Sequence, residues 1–311
     1  MKADAGLRDV PGLRIAQRYV VMRSLGRGGT GEVFLVHDTH SGREVALKRL
    51  WHEHLSKPRI TARFAREVQI TRKMDHPAIV KVRDAAHDGE DLFFTMDVVD
   101  GVNLRTWMYM HGRSSVEAAV RVAGMAARAL DHGHRHTIHR DVSPENIMVS
   151  PSGAITLIDF GLAKRHGCTE GLTIVNTPLG RREYSAPEQE RNASSVNLGA
   201  DLYPLGVVFY EMLTQQRTRV AQAMEAARPD VGKHFDAFLS RALAEDAGER
   251  YPSARELHDD LLGAYCRYQD SKHGIQARRG LKQACGAPRR WWFRILEGVR
   301  EWAGAYGSKA Q

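Results

Sequence analysis

The stretch that decides the fold is His139-Arg140-Asp141-Val142-Ser143-Pro144-Glu145-Asn146, followed further along the chain by Asp159-Phe160-Gly161. Two short apolar runs lie between them, Ile147–Val149 and Ile155–Ile158, and they are separated by Ser150-Pro151-Ser152-Gly153. Apolar runs bounded by turn residues predict two short strands joined by a turn. The charged residues of both motifs are therefore expected beside a small hairpin.

A glycine-rich element, Gly26-Arg27-Gly28-Gly29-Thr30-Gly31-Glu32-Val33, lies nearer the N-terminus between two predicted strands, Tyr19–Leu25 and Glu32–His37. Glycines let backbone N–H groups approach a polyphosphate closely, because no side chain stands in the way. A glycine hairpin can also be a simple turn. A dinucleotide-binding fingerprint would need a helix directly after the glycines, and here a strand follows instead.

The next predicted strand, Val45–Leu50, carries Val45-Ala46-Leu47-Lys48. A lysine within a buried apolar strand needs a partner of opposite charge. Glu67 can supply one, since it lies on a helix predicted over Thr61–Met74 from the spacing of Phe64, Val68 and Thr71. Such a pair can also be purely structural.

The remaining patterns divide the chain into a strand-rich part and a helix-rich part. Strands are predicted at Ile79–Ala86 and Leu92–Val99, and a long helix from Val116 to about His134 opens with a capping box of Ser114 and Glu117. Further helices are predicted at Ala200–Thr214, Gly232–Ala244 and Ser253–Tyr265. The sequence predicts an α+β fold of two lobes, a small β-rich N-lobe with one helix (15–99) and a larger helical C-lobe (100–265), after an N-terminal extension (1–14).

Composition favours a globular protein of a reducing compartment. The 311 residues are 42% hydrophobic and 26% charged, so the chain can bury a full core. Three widely spaced cysteines argue against a disulfide framework. Neither a signal peptide nor a membrane-spanning stretch is expected, which makes the predicted location cytoplasmic. The net charge of +8 contains no long block of like charges, so no nucleic-acid partner is expected.

Together with Ala186-Pro187-Glu188, these motifs resemble in order and spacing the eukaryotic-type (Hanks-type) protein kinase family, specifically the bacterial serine/threonine kinases. The resemblance covers residues 15–265 and implies a two-lobe kinase fold. It also implies ATP and Mg²⁺ as cofactors, protein substrates and autophosphorylation. Pro144 and Glu145 resemble the serine/threonine form of the loop.

The resemblance implies a role for each matching residue. Lys48 would hold the α- and β-phosphates and Glu67 would orient Lys48, while Asp141 would accept the hydrogen bond of the substrate hydroxyl. Asn146 and Asp159 would ligate Mg²⁺. Met96 would be the gatekeeper, and Asp97–Val99 the hinge whose backbone bonds adenine. The implied ATP-binding set is Leu25, Gly26, Arg27, Gly28, Gly29, Thr30, Gly31, Val33, Ala46, Lys48, Met96, Asp97 and Val99.

The resemblance implies three further roles. Glu188 would pair with Arg250, and Asp201 would anchor the backbone of the catalytic loop. Arg140 would receive a phosphate placed on the activation segment, for which Thr169, Thr173 and Thr177 are the candidates.

The chain departs from the family at one contact. Ser143 stands where serine/threonine kinases usually carry a lysine that contacts the transferred phosphate, and Arg181-Arg182 stand where a threonine-proline pair is usual. We interpret these departures as coupled, with Arg181 supplying the missing charge; a basic patch that selects acidic substrates is the other interpretation. A pseudokinase scaffold and a small-molecule phosphotransferase are the competing functions.

The C-terminal part carries a separate pattern. Residues 266–288 are polar and basic and are predicted to be a linker, and residues 289–303 an amphipathic helix. Trp292, Ile295, Leu296 and Val299 form its apolar stripe. Such a helix can fold back on its own kinase domain, bind a groove of a partner, or lie peripherally on an anionic membrane.

Overall fold

The computed structural model describes residues 11–28, 31–51, 58–88, 91–160, 183–191, 197–216 and 224–273. These residues form two compact units. The first unit contains the described residues up to Asp75 together with Val80–Val99, and the second contains His76–Ile79 and the described residues from Asp100 onward.

The first unit is built on a six-stranded antiparallel sheet with the order β1-β2-β3-β4-β6-β5. One helix, α1 (Pro58–Arg72), accompanies the sheet. The strands are β1 (Arg14–Ile15), β2 (Tyr19–Gly28), β3 (Gly31–Asp38), β4 (Arg43–Leu50), β5 (Val82–Asp88) and β6 (Asp91–Met96).

The two faces of this sheet have different partners, because successive side chains of a strand point to opposite faces. Tyr19, Phe34, Leu47 and Phe93 belong to a buried apolar cluster on one face. On the other face, Lys48 lies opposite Phe94, whose ring is 5.5 Å from that of Phe64 on α1. The helix therefore packs on the face that carries Lys48.

The predicted spacing along α1 is confirmed, since Phe64, Val68 and Thr71 are all buried. The sheet differs from prediction at its far edge. Strand β6 ends at Met96 rather than continuing to Val99, and β5 begins at Val82. Ile79 instead forms an isolated parallel bridge with Leu157 inside the second unit.

The second unit combines a three-stranded sheet, order β7-β8-β9, with several helices. The short strands are β7 (Val102–Asn103), β8 (Ile147–Val149) and β9 (Ile155–Leu157). The helices are α2 (Leu104–His111), α3 (Val116–Gly133), α4 (Pro187–Arg191), α5 (Gly199–Thr214), α6 (Met224–Ala227), α7 (Gly232–Ala242) and α8 (Ala254–His273). Every residue of α5 is buried, and α3 and α7 pack against it, so α5 is the core of the unit.

Two sequence predictions about this unit are wrong at helix ends. The N-cap of α3 is Ser115, whose side chain accepts a hydrogen bond from the backbone N–H of Ala118, so the cap lies one residue after Ser114. Ser114 is buried and its backbone N–H donates to the carbonyl of Met212. Helix α8 continues past Tyr265 to His273, so residues 266–273 belong to the folded unit and not to a linker.

No helix in the described ranges is long and apolar enough to cross a bilayer. The predicted amphipathic helix at 289–303 and the rest of the predicted linker lie outside the described residues.

A buried ion pair fastens α4 to the rest of the second unit. Arg250, whose side chain is fully buried, donates to both carboxylate oxygens of Glu188 at 2.7 and 2.9 Å. The same guanidinium donates to the carbonyls of Ala244, Gly199 and Glu245. The pairing of Glu188 with Arg250 is therefore confirmed, and it ties α4 to the start of α5 and to the turn before Tyr251.

Replacing this arginine should therefore destabilise the protein strongly. Arg250→Met leaves the Glu188 carboxylate and three carbonyls without their donor, and we expect a loss of about 3–5 kcal/mol in the free energy of unfolding. Arg191→Met is the matched control, since Arg191 and Glu245 form a mostly exposed pair worth less than about 1 kcal/mol. Urea unfolding of both variants measures the difference, and equal losses would contradict the assignment.

Candidate active site

The glycine-rich hairpin is held by side chains on its own strands. Arg27 and Glu32 face each other in the β2–β3 register, and the Arg27 Nε–Glu32 Oε1 distance is 2.8 Å. Ser24 donates its hydroxyl to the same carboxylate, and the Trp51 indole N–H donates to the carbonyl of Gly28. The Arg27 side chain is thus engaged within the hairpin. Glu32, which is 1% exposed, was not singled out from the sequence.

The glycines of this hairpin have two different roles. A Cβ on Gly31 would overlap the carbonyl of Arg49 on β4, so Gly31 permits the close approach of two strands. A Cβ on Gly26 would meet nothing within 4 Å, and one on Gly28 would make only ordinary contact. Gly26 and Gly28 are therefore the glycines that leave room for a ligand. Gly29 and Thr30 lie outside the described residues.

Four of the predicted nucleotide-binding residues share one face of the sheet. Val33 lies opposite Lys48, and Met96 lies opposite Ala46, which is two residues before Lys48 on β4. Directly opposed residues of an antiparallel pair point to the same face. Ala46, Lys48 and Met96 are buried, whereas Leu25 is 40% exposed and lies within β2 at the irregularity between Ser24 and Gly26. Glu67 lies on α1, one residue before Val68. The side chain of Glu67 lies outside the described part of the structure.

The predicted hinge follows β6 directly. The Asp97 N–H donates to the carbonyl of Lys81, and its carboxylate accepts two hydrogen bonds from Arg83, at 2.5 and 2.8 Å. The bond to Asp97 raises the pKa of the Arg83 guanidinium above its usual value. Val99 is half-buried at the end of this segment. Arg83 thus fixes the hinge side chain, a role that the sequence alone did not indicate.

In the second unit, the catalytic-loop residues Asp141 and Asn146 are brought together. Asn146 Nδ2 donates to the Asp141 carbonyl at 2.7 Å and to its carboxylate at 2.9 Å. Asn146 is buried at the end of a short 3-10 turn, Pro144–Asn146. The amide therefore fixes both the backbone and the carboxylate of Asp141.

The backbone before Asp141 is anchored by Asp201, which is fully buried at the start of α5. Its carboxylate accepts the N–H groups of His139 at 2.7 Å and Arg140 at 2.6 Å, and it lies 2.8 Å from His134 Nε2. Arg140 has a φ of +67°, a left-handed conformation that costs a non-glycine residue roughly 1–3 kcal/mol. The predicted anchoring role of Asp201 is confirmed.

Asp159 also has a left-handed backbone, with a φ of +60°. The next residue, Phe160, is buried against the ring of His139, with the ring centroids 4.6 Å apart. A Cβ on Gly133, at the end of α3, would overlap the Phe160 ring. The absence of a side chain at Gly133 therefore lets the Phe160 ring pack against the end of α3. This packing fixes the backbone position of the preceding residue, Asp159. Gly161 lies outside the described residues.

The donor set of Asn146 and Asp159 fits a magnesium ion. The Ile158 N–H donates to the Asn146 carbonyl at 3.0 Å, so the backbone leading into Asp159 lies against Asn146. Because Asn146 uses Nδ2 to hold Asp141, its Oδ1 is the atom suited to a metal. An amide oxygen and a carboxylate are hard ligands of the kind that Mg²⁺ prefers. Among the described residues, no three His, Cys, Asp or Glu side chains form a metal-binding group of their own.

The position of the missing lysine is a buried serine. Ser143 is 2% exposed, and its hydroxyl has no hydrogen-bond partner within the described part of the chain. Its backbone carbonyl accepts the N–H of Asn146. Arg181 and Arg182, proposed to be coupled to Ser143, lie outside the described residues.

A buried polar network joins four elements beside the catalytic loop. Arg105 on α2 donates to Glu145 at 3.0 Å and to Glu211 on α5 at 2.5 Å. The Tyr184 hydroxyl bonds both Arg105 and Glu211. Burial first, and then the charge of Glu211, raise the pKa of Tyr184 above its usual range, so the phenol stays protonated and keeps donating.

Gln189 links α4 to the catalytic loop. Its side-chain amide donates to the Arg140 carbonyl at 3.1 Å, while its oxygen accepts the N–H of Ala186. Arg140 itself is half-buried. The phosphorylation candidates Thr169, Thr173 and Thr177 lie outside the described residues.

The packing of Phe160 on Gly133 gives a direct test. Gly133→Ala places a methyl group on the Phe160 ring, so we expect the ring to shift and Asp159 to lose its position, with a loss of Mg²⁺-dependent nucleotide binding. Isothermal calorimetry measures this binding. Gly124→Ala is the matched control on the same helix, since its Cβ would meet only His258 at 3.7 Å, and alanine favours a helix. Equal binding by both variants would contradict the role of Gly133.

Comparison with known proteins assigns the site residues of both units to one family. Residues 19–271 match the protein kinase domain family. A probable serine/threonine-protein kinase of Streptomyces coelicolor is 34% identical over 270 residues, covering 80% of this chain and 40% of that protein. The serine/threonine-protein kinase PknB of Mycolicibacterium smegmatis is 35% identical, covering 80% of this chain and 43% of that protein.

Solved structures agree with this assignment. The kinase domain of Mycobacterium tuberculosis PknI is 29% identical and superposes with a TM-score of 0.68, covering 83% of this chain and 100% of that domain. The chain spans less than half the length of the curated relatives that it matches. The chain belongs to the protein kinase domain family, and the curated relatives that it resembles are bacterial serine/threonine-protein kinases.

Proposed function

We propose that this chain transfers the γ-phosphoryl group of ATP to serine and threonine hydroxyls of proteins, itself included. The observation that carries the proposal is the double hydrogen bond from Asn146 to Asp141, on a loop whose backbone Asp201 anchors. This arrangement holds the Asp141 carboxylate in one position beside the anchored backbone of the loop. A fixed, ionised carboxylate is what an acceptor hydroxyl needs for orientation.

Each unit supplies a different part of the chemistry. In the first unit, Lys48 offers a positive charge among the buried residues Ala46 and Met96, where a phosphate and an adjoining base can be held. In the second unit, Asp141 accepts the hydrogen bond of the hydroxyl and takes its proton as the oxygen attacks phosphorus in line. Bound Mg²⁺ would neutralise the charge on the phosphate oxygens. Asn146 and Asp159 are the residues that would hold it.

The class of acceptor follows from the loop and from the relatives. Pro144 and Glu145 give the loop its serine/threonine form, and the relatives compared above carry names of serine/threonine kinases. Arg105 fixes Glu145 at 3.0 Å, so the loop next to the acceptor has a defined shape. The dispersed cysteines support a cytoplasmic location. A peripheral membrane or partner contact of residues 289–303 stays a prediction from the sequence.

Removing the charged groups should stop transfer while leaving the fold intact. We expect Lys48→Met, Asp141→Asn and Asp159→Asn each to lower the rate of autophosphorylation by about 10²–10⁴-fold. Asparagine tolerates the left-handed backbone of residue 159, so the last change isolates the charge. Labelled ATP with Mg²⁺ and a generic protein substrate measures the rate.

Asp270→Asn, at an exposed position of α8, is the control for the loss of an aspartate. Mass spectrometry of the active protein tests whether phosphate is placed within residues 162–187, where Thr169, Thr173 and Thr177 lie. A wild-type rate in Asp159→Asn would overturn the mechanism. Nucleotide binding without transfer by the unaltered chain would establish the pseudokinase scaffold instead.

The departure at Ser143 is the observation that favours this second function. A buried serine cannot replace the charge of a lysine at the transferred phosphate. Every other residue implied for nucleotide, metal and acceptor is present, which is why transfer remains the first proposal.

Coupling between Ser143 and Arg181 can be measured by a double-mutant cycle. If Arg181 supplies the missing charge, Arg181→Ala should lower the transfer rate by about 10²–10³-fold, and Ser143→Lys should restore part of this loss. Melting temperatures of all variants control for the burial of residue 143. Additive effects would instead support a solvated basic patch, in which case Arg181→Ala should change the preference for acidic peptides.

A further inference from the structure

A cleft of about 660 Å³ opens on the second unit, and none of the residues implied in catalysis or nucleotide binding lines it. We call it the α2–α3 cleft. Its walls are the last turn of α2 with residues 113–115, the first turn of α3 at Ala118, and the loop Ala227–Asp230. The cleft is large enough to hold several apolar side chains at once.

The floor of the cleft is aromatic and partly apolar. Trp107 and His111 stack with ring centroids 4.6 Å apart on the side of α2 that faces the cleft. Ala118, Ala227 and Pro229 add apolar side chains to the lining of the cleft. Ser114, which also lines the cleft, has a buried hydroxyl with no hydrogen-bond partner in the described ranges. The cleft thus offers apolar surface together with a polar group that is not satisfied.

Charges of both signs surround this floor. Arg228 makes two hydrogen bonds to Asp230, at 2.8 and 2.6 Å, and Arg113 is exposed on the opposite wall. Glu117 is exposed on the first turn of α3. An occupant that carries both positive and negative side chains around an apolar stripe would therefore complement the cleft.

The described chain ends beside this cleft. Gln269, near the end of α8, donates to Glu117 at 3.3 Å. The pKa of the Lys272 ammonium is raised, chiefly by its hydrogen bond with Tyr268. The charges of Tyr268, Glu117 and Asp230 raise this pKa further. The last turn of α8 therefore lies close to two walls of the cleft, so the residues that follow start from its edge.

The sequence that follows contains a matching occupant. Residues 274–288, which precede this segment, are fifteen residues long and can span up to about 50 Å when extended, which allows the chain to return to the cleft. Residues 289–303 then contain three of the five tryptophans of the chain. Their apolar stripe is flanked by both signs of charge: Arg294, Glu297, Arg300 and Glu301.

We propose that residues 289–303 bind as a helix in the α2–α3 cleft of the same chain, with the stripe of Trp292, Ile295, Leu296 and Val299 facing Trp107 and His111. A tether of this length gives the segment a local concentration in the millimolar range, which favours its own cleft over that of a second copy. Mixed charge on both surfaces favours the cleft over an anionic membrane, which attracts only the arginines. The proposal does not depend on phosphoryl transfer.

Photo-crosslinking of the 311-residue chain tests the proposal. Trp292→benzoylphenylalanine puts the reactive group on the stripe, and Arg294→benzoylphenylalanine puts it on the opposite side of the same helix as a matched control. After irradiation, peptide mass spectrometry should find Trp292-site crosslinks within the monomer, to residues 107–118 or 227–230. The yield from the control should be several-fold lower. Val299→benzoylphenylalanine gives an independent measurement from the same stripe.

Blocking either surface should remove the crosslink. Ala118→Arg places a long side chain into the cleft, and Ile295→Asp places a charge on the stripe. Each should lower the yield by at least about tenfold, since the loss of a central apolar contact weakens an interface by that factor or more. Ala226→Arg is the control for the added charge, because Ala226 is exposed on α6 and does not line the cleft. Circular dichroism confirms that each variant is folded.

Three results would overturn the proposal. Crosslinks found only between two chains would assign the cleft to a second copy. Crosslinks to other parts of the chain, or equal yields from positions 292 and 294, would show that the stripe does not occupy the cleft. Co-sedimentation with vesicles of anionic phospholipid, without any intrachain crosslink to the cleft, would assign the segment to the membrane.

Discussion

The Asp201 carboxylate is the group on which the geometry of the catalytic loop depends. It is fully buried, and it accepts the backbone N–H groups of His139 and Arg140 together with a contact from His134. Burying a carboxylate costs folding free energy unless hydrogen-bond donors contact its oxygens, and these three donors do so. These hydrogen bonds hold the backbone of Arg140 in a left-handed conformation. The chain turns there, so that Asp141 meets Asn146.

The segment 183–191 is attached to the second unit at three points, one of which is the catalytic loop. Gln189 bonds the Arg140 carbonyl, Tyr184 joins the Arg105–Glu211 network, and Glu188 pairs with Arg250. Each contact uses a side chain and a partner far apart in sequence, and each partner belongs to a helix of the second unit or to the loops beside it. The segment therefore has a fixed path even though it contains only one short helix, α4.

Sequence patterns were sufficient for apolar runs bounded by turns and for apolar residues at helical spacing. Runs rich in valine and leucine between turn residues predicted β2 to β4, and the spacing of Phe64, Val68 and Thr71 predicted α1. They failed where two adjacent residues could play the same part, as with Ser114 and Ser115, or where a helix continues with polar residues, as in α8 beyond Tyr265. Contacts such as Glu32 with Arg27 or Phe160 on Gly133 could not be predicted, because nothing local in the sequence pairs those residues.

Two residues of the second unit with a left-handed backbone, Arg140 and Asp159, lie on either side of one aromatic contact. Arg140 follows His139, and Asp159 precedes Phe160, and the rings of His139 and Phe160 pack together at 4.6 Å. His139 also lies 3.1 Å from the carbonyl of Ile158 through Nε2. Burial of these rings offsets the backbone strain at both neighbours. The positions of Asp141 and Asp159 are therefore linked through a buried contact in which neither carboxylate takes part, so changes in the core beneath the loop act on both aspartates together.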